Sequence, residues 1–427
     1  MMPDGAAVSI GKEGSLEAKA GRSKYTILIL LFLGWCLGNM DRMVMSFAVI
    51  PIGKELSLSS SVIGLVMSSF FFGYALMQIP GGWLADRFGS RKVLLVIVFV
   101  WSIFTSMTGA AWSLVSLLAI RASFGLAEGS YTPSSIKMLT ETFPRSEIGR
   151  AMSLFLTSSG LMTILVPILA GLMITTMGWR PMFYLIGSLG LILVILFWVL
   201  LKPTNLARPA TSASAAAAAE GSDSAPRSIG QLLKLPVMWN IIILSFAVYT
   251  LTWGLSTWLP SYLVKARHLD LVSIGWLQII PGIFMMGAMY VGGFFADKVK
   301  HNISKFLAAA ASALVAVLLY LMFTCSTVTL FVVYQTIVYF IIGFLLTFIP
   351  AFMVKQVPDE VVGSASGIMN FGSQLAGLGT PLIIGVLIDA FKGSYFAAFC
   401  YLILFALVLI GAFLALRPVK AVEAAPG

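Results

Sequence analysis

Four ionisable residues stand in two otherwise apolar segments: Asp41 and Arg42 in the first, Arg121 and Glu128 in the second. A guanidinium stays charged and can grip a carboxylate through two parallel hydrogen bonds, so the arginines are candidates for binding an organic anion. In a site of low polarity, a carboxylate is stabilised by a nearby cation, so it takes up a proton readily when that cation binds another anion. The pattern therefore predicts anion binding by Arg42 and Arg121 and proton coupling through Asp41 and Glu128.

Helical spacing supports this interpretation and leaves one alternative. Arg121 and Glu128 are two helical turns apart and share a face, whereas Asp41 and Arg42 point to neighbouring sectors. Each ionised group near the middle of a bilayer costs about 2.5–3.5 kcal/mol or more, so the four need partners or an aqueous cavity. The alternative is a pair of structural ion pairs between the first and fourth helices, although apolar packing would serve that purpose as well.

The elements that hold these residues are membrane helices. Of the 427 residues, 59% are hydrophobic and 10% charged, whereas soluble domains carry about 25% charged residues, and the mean hydropathy is +0.98. This composition argues against a water-soluble enzyme. Because open strand edges do not occur in lipid, we expect an all-α polytopic membrane protein. Twelve apolar runs have the length of a membrane crossing; they lie near 25–50, 62–84, 93–112, 114–137, 149–175, 180–201, 237–263, 272–296, 304–324, 328–353, 362–388 and 394–416.

A polar, Ser- and Ala-rich stretch at 202–235 separates six runs from six. It resembles a flexible linker. The segment GWLADR at 82–87 is echoed by GFFADK at 293–298, at the matching place in the second half, which indicates a duplicated unit. We therefore predict two pseudosymmetric six-helix bundles. The expected order is a cytoplasmic tail 1–24, a bundle 25–201, a cytoplasmic linker 202–235, a bundle 236–416 and a cytoplasmic tail 417–427.

The positive charge indicates topology. Lys and Arg number 27 and exceed Asp and Glu by 10, and most of them fall in the segments on the side of the two termini. The positive-inside rule then puts both termini in the cytoplasm of a multi-pass cell-membrane or inner-membrane protein, with no nucleic-acid partner. The spacing of the three cysteines and two histidines suits no metal site, so we expect neither metal nor cofactor. We also expect the chain to function as a monomer.

The turn after the second run has a recognisable motif. Residues 82–92 read GWLADRFGSRK, which resembles at every defining position a cytoplasmic loop motif of the major facilitator superfamily. In that superfamily the charged groups of this loop latch neighbouring helix ends and gate access to the central site. The resemblance implies gating roles for Asp86, Arg87 and Arg91, and for Asp297 in the second copy.

The resemblance narrows to the anion:cation symporter family. It rests on the four ionisable residues, on WLPSYL at 258–263 and on GSASGIMNFGSQLAG at 363–377. It implies proton-coupled uptake of a small organic anion, such as a galactonate, glucarate or hexuronate, by alternating access. Protons would be the coupling ion and the anion the only other partner besides the lipid bilayer. Further candidates for substrate contact are polar or aromatic residues of the second, seventh and eleventh runs: Tyr74, Gln78, Tyr249, Trp253, Asn370, Ser373 and Gln374.

Two alternatives remain. Residues 153–160 (SLFLTSSG) lack the amide or acid that some sugar-acid carriers place in the fifth helix, which favours an aromatic acid or a dicarboxylate as substrate. A membrane sensor that binds the anion without moving it is the remote alternative, although the long internal segment is too low in complexity to form a signalling domain.

Overall fold

The computed structural model describes residues 6–144, 147–201, 236–298, 301–354 and 362–416, and within them the chain forms fourteen α-helices and no strand. Seven helices precede residue 202: α1 (Ala6–Glu55), α2 (Ser60–Phe88), α3 (Ser90–Gly109), α4 (Leu114–Gly129), α5 (Tyr131–Thr142), α6 (Ile148–Met177) and α7 (Trp179–Leu200). Seven follow residue 235: α8 (Pro236–Lys265), α9 (Leu271–Leu277), α10 (Ile279–Lys298), α11 (His301–Thr324), α12 (Val328–Val354), α13 (Val362–Ala390) and α14 (Phe396–Ala415).

The predicted all-α, twelve-span fold class is confirmed, with one refinement. Among the described residues, 11 helical stretches are long and apolar enough to cross a membrane. The predicted run 114–137 is not one of them, because it is divided at Ser130 into α4 and α5, of 16 and 12 residues. Each piece is shorter than the roughly 20 residues that a crossing needs, and together they occupy the place of the fourth span.

The predicted domain boundaries are only partly covered by the described residues. The linker 202–235 and the tail 417–427 lie outside them. Residues 6–24 of the predicted tail are helical and belong to α1, whose membrane-crossing stretch begins at Lys24; a cytoplasmic location of this tail remains a prediction. No proline interrupts residues 6–24, and the alanines, lysines and glutamates there favour a helix, so the first span continues toward the N-terminus without a break.

A proline explains each of the two helix breaks. The fourth span is interrupted at Ser130 and the eighth at Gln278, and a proline follows three residues later in both, as Pro133 and Pro281. Proline has no N–H and crowds the carbonyl group four residues before it. The carbonyl groups of Gly129 and Leu277 therefore cannot make their usual helical hydrogen bonds, and each span tightens into a turn at that point.

Side chains cap the N-termini of α2, α4 and α9, among other helices. The Ser59 hydroxyl accepts from the Val62 backbone N–H, and Ser113 forms a capping box with Ser116. Asp270 caps α9 by accepting from the backbone N–H groups of Val272 at 3.0 Å and Ser273 at 2.9 Å. The hydrogen bonds that the Ser273 hydroxyl and backbone donate hold the pKa of Asp270 below its usual range.

The two halves of the chain repeat one packing pattern. In the first half α1 packs on α6, α2 on α4 and α3 on α7; in the second half α8 packs on α13, α10 on α12 and α11 on α14. These are the same pairs of spans in each half. Between the halves, α2 meets α13, and α6 meets α9 and α10. This arrangement agrees with a duplicated six-helix unit.

The halves are fastened at the end of the bundle opposite the chain termini, called here the far end, which carries residues 56–59, 266–270 and 391–395. The Asp389 carboxylate accepts hydrogen bonds from the Ser60 backbone N–H at 3.0 Å and the Ser61 backbone N–H at 2.6 Å. The first turn of α2 attracts a carboxylate because its N–H groups lack helical partners. Gly275 lies so close to the α6 backbone that an added Cβ would sit 2.6 Å from the Pro167 carbonyl oxygen. The two halves therefore meet backbone to backbone at the far end.

Candidate functional site

The four ionisable residues form two ion pairs that cross from one helix to the other. The Arg42 guanidinium of α1 lies 2.6 Å from the Glu128 carboxylate of α4. The Arg121 guanidinium of α4 lies 3.4 Å from the Asp41 carboxylate of α1. Sequence spacing placed the acid and base of each helix near one another, but the structure pairs each base with the acid of the other helix. The cluster therefore has both ion pairs of the structural alternative, and its position decides what else it can do.

The cluster is buried deep in the protein, and neighbouring residues accommodate it. The Glu128 side chain is 0% exposed, and those of Asp41 and Arg121 are 2% exposed. The Thr105 hydroxyl of α3 donates to the second oxygen of Asp41 at 2.5 Å. Gly38 gives the Glu128 carboxylate room against α1, since an added Cβ there would lie 2.8 Å from Oε1. Each charged group therefore has a partner of opposite charge, and the absence of a side chain at Gly38 leaves room for the Glu128 carboxylate.

Aromatic rings surround the Arg42 guanidinium. Its central carbon lies 5.1 Å from the centre of the Phe70 ring, 5.0 Å from that of Tyr74 and 5.9 Å from that of Trp253. A cation held over ring faces is stabilised without being neutralised, and more so where water is excluded. Trp253 belongs to α8 and the other two rings to α2, so rings from both halves enclose this cation.

Several polar atoms of the site keep unused hydrogen-bonding capacity. Among the described residues, Oε2 of Glu128 and the Nε groups of Arg42 and Arg121 are buried and have no hydrogen-bond partner. The indole N–H of Trp253 is in the same condition. Buried polar groups of folded proteins are nearly always hydrogen-bonded, so unpaired ones side by side indicate a place where a ligand or a proton is received.

A cavity of about 170 Å³ adjoins the cluster between the two halves. Pockets for drug-sized ligands enclose about 300–1,000 Å³, so this one suits a small metabolite. Three of the predicted substrate contacts, Arg42, Arg121 and Trp253, line it. Its wall also contains polar residues that were not predicted from the sequence as substrate contacts: Asn39, Ser46, Ser159, Thr163, Ser256, Thr257, Gln278 and Tyr339. Hydroxyl and amide groups recur along many membrane helices, so the sequence alone does not single out these cavity residues. Their burial between the two halves distinguishes them from the rest.

Two further predicted contacts lie behind Arg42 rather than on the cavity wall. Tyr74 is 5% exposed and presents its ring to the guanidinium. Tyr249 is partly buried and lies within electrostatic range of Tyr74 and Arg42. Gln78 is one turn beyond Tyr74 on α2 and is also partly buried. These residues remain predictions as substrate contacts, and of the three the structure places the Tyr74 ring against the arginine.

The predicted contacts on α13 lie outside the cavity in this structure. Asn370 is exposed, Gln374 is partly buried, and the Ser373 hydroxyl donates to the Asn370 carbonyl oxygen at 2.7 Å. One turn farther along α13, Gly377 packs directly against the Phe71 ring, which does line the cavity. A substrate contact by these three residues remains a prediction that involves another conformation of the halves.

The predicted gating residues make their contacts within the first half. Lys137 of α5 donates to the Asp86 carboxylate at 2.8 Å and to the Ala85 carbonyl oxygen at 2.9 Å. The Arg87 guanidinium lies 5.1 Å from the centre of the Trp83 ring, and Arg91 donates to the Trp198 carbonyl oxygen at 3.4 Å. The side chain of Asp297 lies outside the described residues. Gating by these four residues remains a prediction.

The turn that carries this loop depends on one glycine. Gly89 ends α2 and precedes α3 with a φ of +86°, a backbone conformation that other residues rarely adopt. It thereby reverses the chain within a single residue and brings Ser90 close to α5, where its hydroxyl donates to the Glu141 carboxylate at 2.6 Å.

Comparison with known proteins agrees with this architecture. The family model described as "Major Facilitator Superfamily" matches residues 30–381. A protein of Escherichia coli K12 named "Probable galactarate/D-glucarate transporter GarP" is 30% identical over 87% of this chain and 90% of its own length. One of Cupriavidus necator named "Probable sulfoacetate transporter SauU" is 30% identical over 88% and 89%. The crystal structure of a bacterial homolog of the human lysosomal transporter Spinster, inward-facing and occupied, superposes with a TM-score of 0.73 and 18% identity, covering 91% of this chain and 93% of that one.

Proposed function

Because the chain belongs to the Major Facilitator Superfamily, and so is a multi-pass membrane transporter, we propose that it takes up a small sugar acid together with protons. The substrate would be of the galactarate or glucarate type, and the chain would work as a monomer in the plasma or bacterial inner membrane. Both termini would be cytoplasmic. The proposal rests on the two crossed ion pairs beside a cavity that both halves line.

The crossed pairs support a coupling between anion and proton. With all four groups ionised the cluster is neutral, so an entering carboxylate adds one negative charge to a buried site. When that carboxylate binds Arg42 or Arg121, the carboxylate previously paired with that arginine, Glu128 or Asp41, loses its cationic partner. A buried carboxylate without a cation is costly, and it is relieved by taking up a proton. Anion binding and protonation then favour each other, which is the linkage that symport requires.

Alternating access would use the pseudosymmetric halves. The far end is closed in this structure by the contacts of Asp389 with the first turn of α2. Under the predicted topology this end faces outward, so the described state is closed to the outside. In the opposite state, protons would reach Asp41 and Glu128 from outside as Arg42 and Arg121 capture the anion. Rocking the halves would then release both to the cytoplasm.

The names of the relatives support an acidic substrate. Galactarate and glucarate are six-carbon sugar diacids, and sulfoacetate is a short molecule with two acid groups. A site with two guanidinium groups suits all three. The competing proposal is an aromatic acid or a plain dicarboxylate, which the rings of Phe70, Phe71 and Trp253 on the cavity wall favour.

Transport by the purified protein tests the proposal. Proteoliposomes that contain the full chain should accumulate labelled galactarate above the level of protein-free vesicles. Unlabelled glucarate should compete better than benzoate or succinate. If benzoate or succinate competes better, the sugar-acid assignment is wrong. If the protein binds galactarate, as seen by thermal shift, but does not move any of these acids, it is an anion sensor rather than a carrier.

A further inference from the structure

The cavity has a second polar region, which belongs to the other half of the chain and carries no charge. Gln278 lies at the break between α9 and α10, where its backbone adopts φ −77° and ψ −10°. Its side chain lines the cavity, although the residue is only 8% exposed. The break that Pro281 imposes thus puts an amide side chain on the cavity wall in the eighth span.

A second glutamine fixes the orientation of this amide. Gln335 of α12 is fully buried, and its Nε2 donates to Oε1 of Gln278 at 2.6 Å. The return bond, from Nε2 of Gln278 to Oε1 of Gln335, is 3.4 Å long and near the limit of a hydrogen bond. A primary amide has two N–H donors, and Gln278 uses at most one of them in the bond to Gln335, so at least one donor is free. That donor is available to an oxygen atom in the cavity.

Tyr339 extends the same polar region. It lies one helical turn beyond Gln335 on α12 and lines the cavity. Gln278 and Gln335 form a hydrogen-bonded network of neutral side chains, and Tyr339 lies beside it on the cavity wall. Arg42 and Arg121 supply the charge of the same cavity from the first half.

Holding α10 and α12 together does not explain this network. These helices already have an interhelical hydrogen bond that avoids the cavity, from the Thr347 hydroxyl to the Met289 carbonyl oxygen at 2.9 Å. They also pack closely at Gly343, where an added Cβ would lie 3.1 Å from the side chain of Met285. An interhelical hydrogen bond between side chains in a membrane protein contributes only about 1 kcal/mol, so adhesion alone is a weak reason to bury two amides beside a cavity.

We infer that Gln278 is a specificity-determining residue that donates a hydrogen bond to a hydroxyl group of the substrate, and that Gln335 is its positioning residue. This inference rests on the proposed function and deepens it: the two arginines bind the acid group of the substrate, and Gln278 hydrogen-bonds to its hydroxylated carbon chain. A site built to bond a hydroxyl group discriminates strongly against an analogue that lacks it, because the amide is then left unpaired. The chain should therefore prefer a polyhydroxylated six-carbon acid to an unhydroxylated one of the same length.

Galactarate and adipate provide the matched test, since they share a six-carbon dicarboxylate skeleton and differ only in hydroxyl groups. Uptake of labelled galactarate into proteoliposomes gives KM and kcat, and competition by unlabelled adipate gives its inhibition constant. For Gln278→Leu we expect the KM for galactarate to rise about tenfold, as for loss of one hydrogen bond, while the constant for adipate changes less than about twofold. Gln278→Met, with an unbranched side chain of similar length, should behave the same way.

Three further results separate specificity from structure. Gln335→Leu should also raise the KM for galactarate with kcat nearly unchanged, and the double variant should be no worse than Gln278→Leu alone, because the two residues act as one unit. Thr347→Val, which removes the other hydrogen bond between the same helices, should leave both constants as in the wild type. Equal losses for galactarate and adipate, or no loss for either, would overturn the inference. A wild-type protein that transports no acid would instead refute the proposed function.

Discussion

Arg42 and Glu128 form a 2.6 Å ion pair between α1 and α4, and the carboxylate is completely buried while the guanidinium lines the cavity. One oxygen of Glu128 is used by this pair, and the other has no hydrogen-bond partner within the described structure. The same guanidinium can therefore serve either the protein's own carboxylate or that of a substrate. This exchange of partners is the physical basis of the coupling that we propose.

The first prediction concerns Arg121 and the shape of its cationic group. Arg121→Lys keeps the charge but replaces a planar fork of donors by a single ammonium, which cannot hold a carboxylate with two parallel bonds. We expect galactarate uptake in proteoliposomes to fall about 10- to 100-fold, the range for loss of a charge-assisted hydrogen bond.

Arg180→Lys is the matched control for that change. Arg180 lies 2.6 Å from Glu55 at the partly exposed far end, where ion pairs contribute little. Its uptake should stay within about twofold of the wild type. Unchanged uptake by Arg121→Lys would return Arg121 to a structural role.

The second prediction uses the space beside Glu128. In Gly38→Ala the new Cβ would lie 2.8 Å from Oε1 of Glu128, so we expect the carboxylate to shift and its ion pair with Arg42 to be disturbed. We expect uptake to fall several-fold and its dependence on external pH to shift, with little change in thermal stability, because alanine favours a helix by about 1 kcal/mol over glycine. Gly287→Ala, where an added Cβ meets nothing within 4 Å, is the control and should transport normally. Normal transport by both variants would show that the position of this carboxylate is unimportant.

The third prediction concerns the closure at the far end. Asp389→Asn removes the charge that holds the first turn of α2, so the state open at this end should become more populated. Spin labels at Val115, which is 75% exposed, and at the exposed Lys392 report the separation of the halves in a background with the native cysteines replaced. We expect a longer distance to appear in the distribution measured by pulsed electron spin resonance.

Asp270→Asn is the control for closure, since Asp270 caps α9 with the same chemistry at the same end, but in bonds confined to the second half. Its distance distribution should match that of the wild-type chain. A longer distance in both variants, or in neither, would remove Asp389 from the closure of the far end.

Much of the fold follows from the sequence because each membrane crossing needs an apolar run of fixed length. The twelve runs and the duplicated halves are visible in this way. The division of the fourth span at Ser130 was missed, because Pro133 can kink a helix or break it and the outcome depends on packing. The helix α1 begins before its membrane span, at Ala6, because polarity marks where a membrane span begins but not where a helix begins.

The candidate site was predicted in part, and the limit has a clear cause. Charges inside apolar segments are rare, so Asp41, Arg42, Arg121 and Glu128 stand out in the sequence. Their crossed pairing depends on how α1 and α4 face each other, which helical spacing within one segment does not give. Neutral residues are harder to find in a sequence. The amide-poor fifth span argued against hydroxylated substrates, whereas the cavity has amide side chains from other spans, Asn39 in the first and Gln278 in the eighth.

The central claim is that Glu128 couples a proton to the anion, and Glu128→Gln tests it most directly. The amide is close in size to the carboxylate and imitates its protonated form, so it removes the proton exchange with little change in packing. Proteoliposomes should be loaded and assayed in two ways: uptake of labelled galactarate driven by an inward proton gradient, and counterflow exchange against unlabelled galactarate without a gradient. We predict that Glu128→Gln loses gradient-driven accumulation and retains exchange. Gradient-driven accumulation at the wild-type rate in this variant would contradict the account.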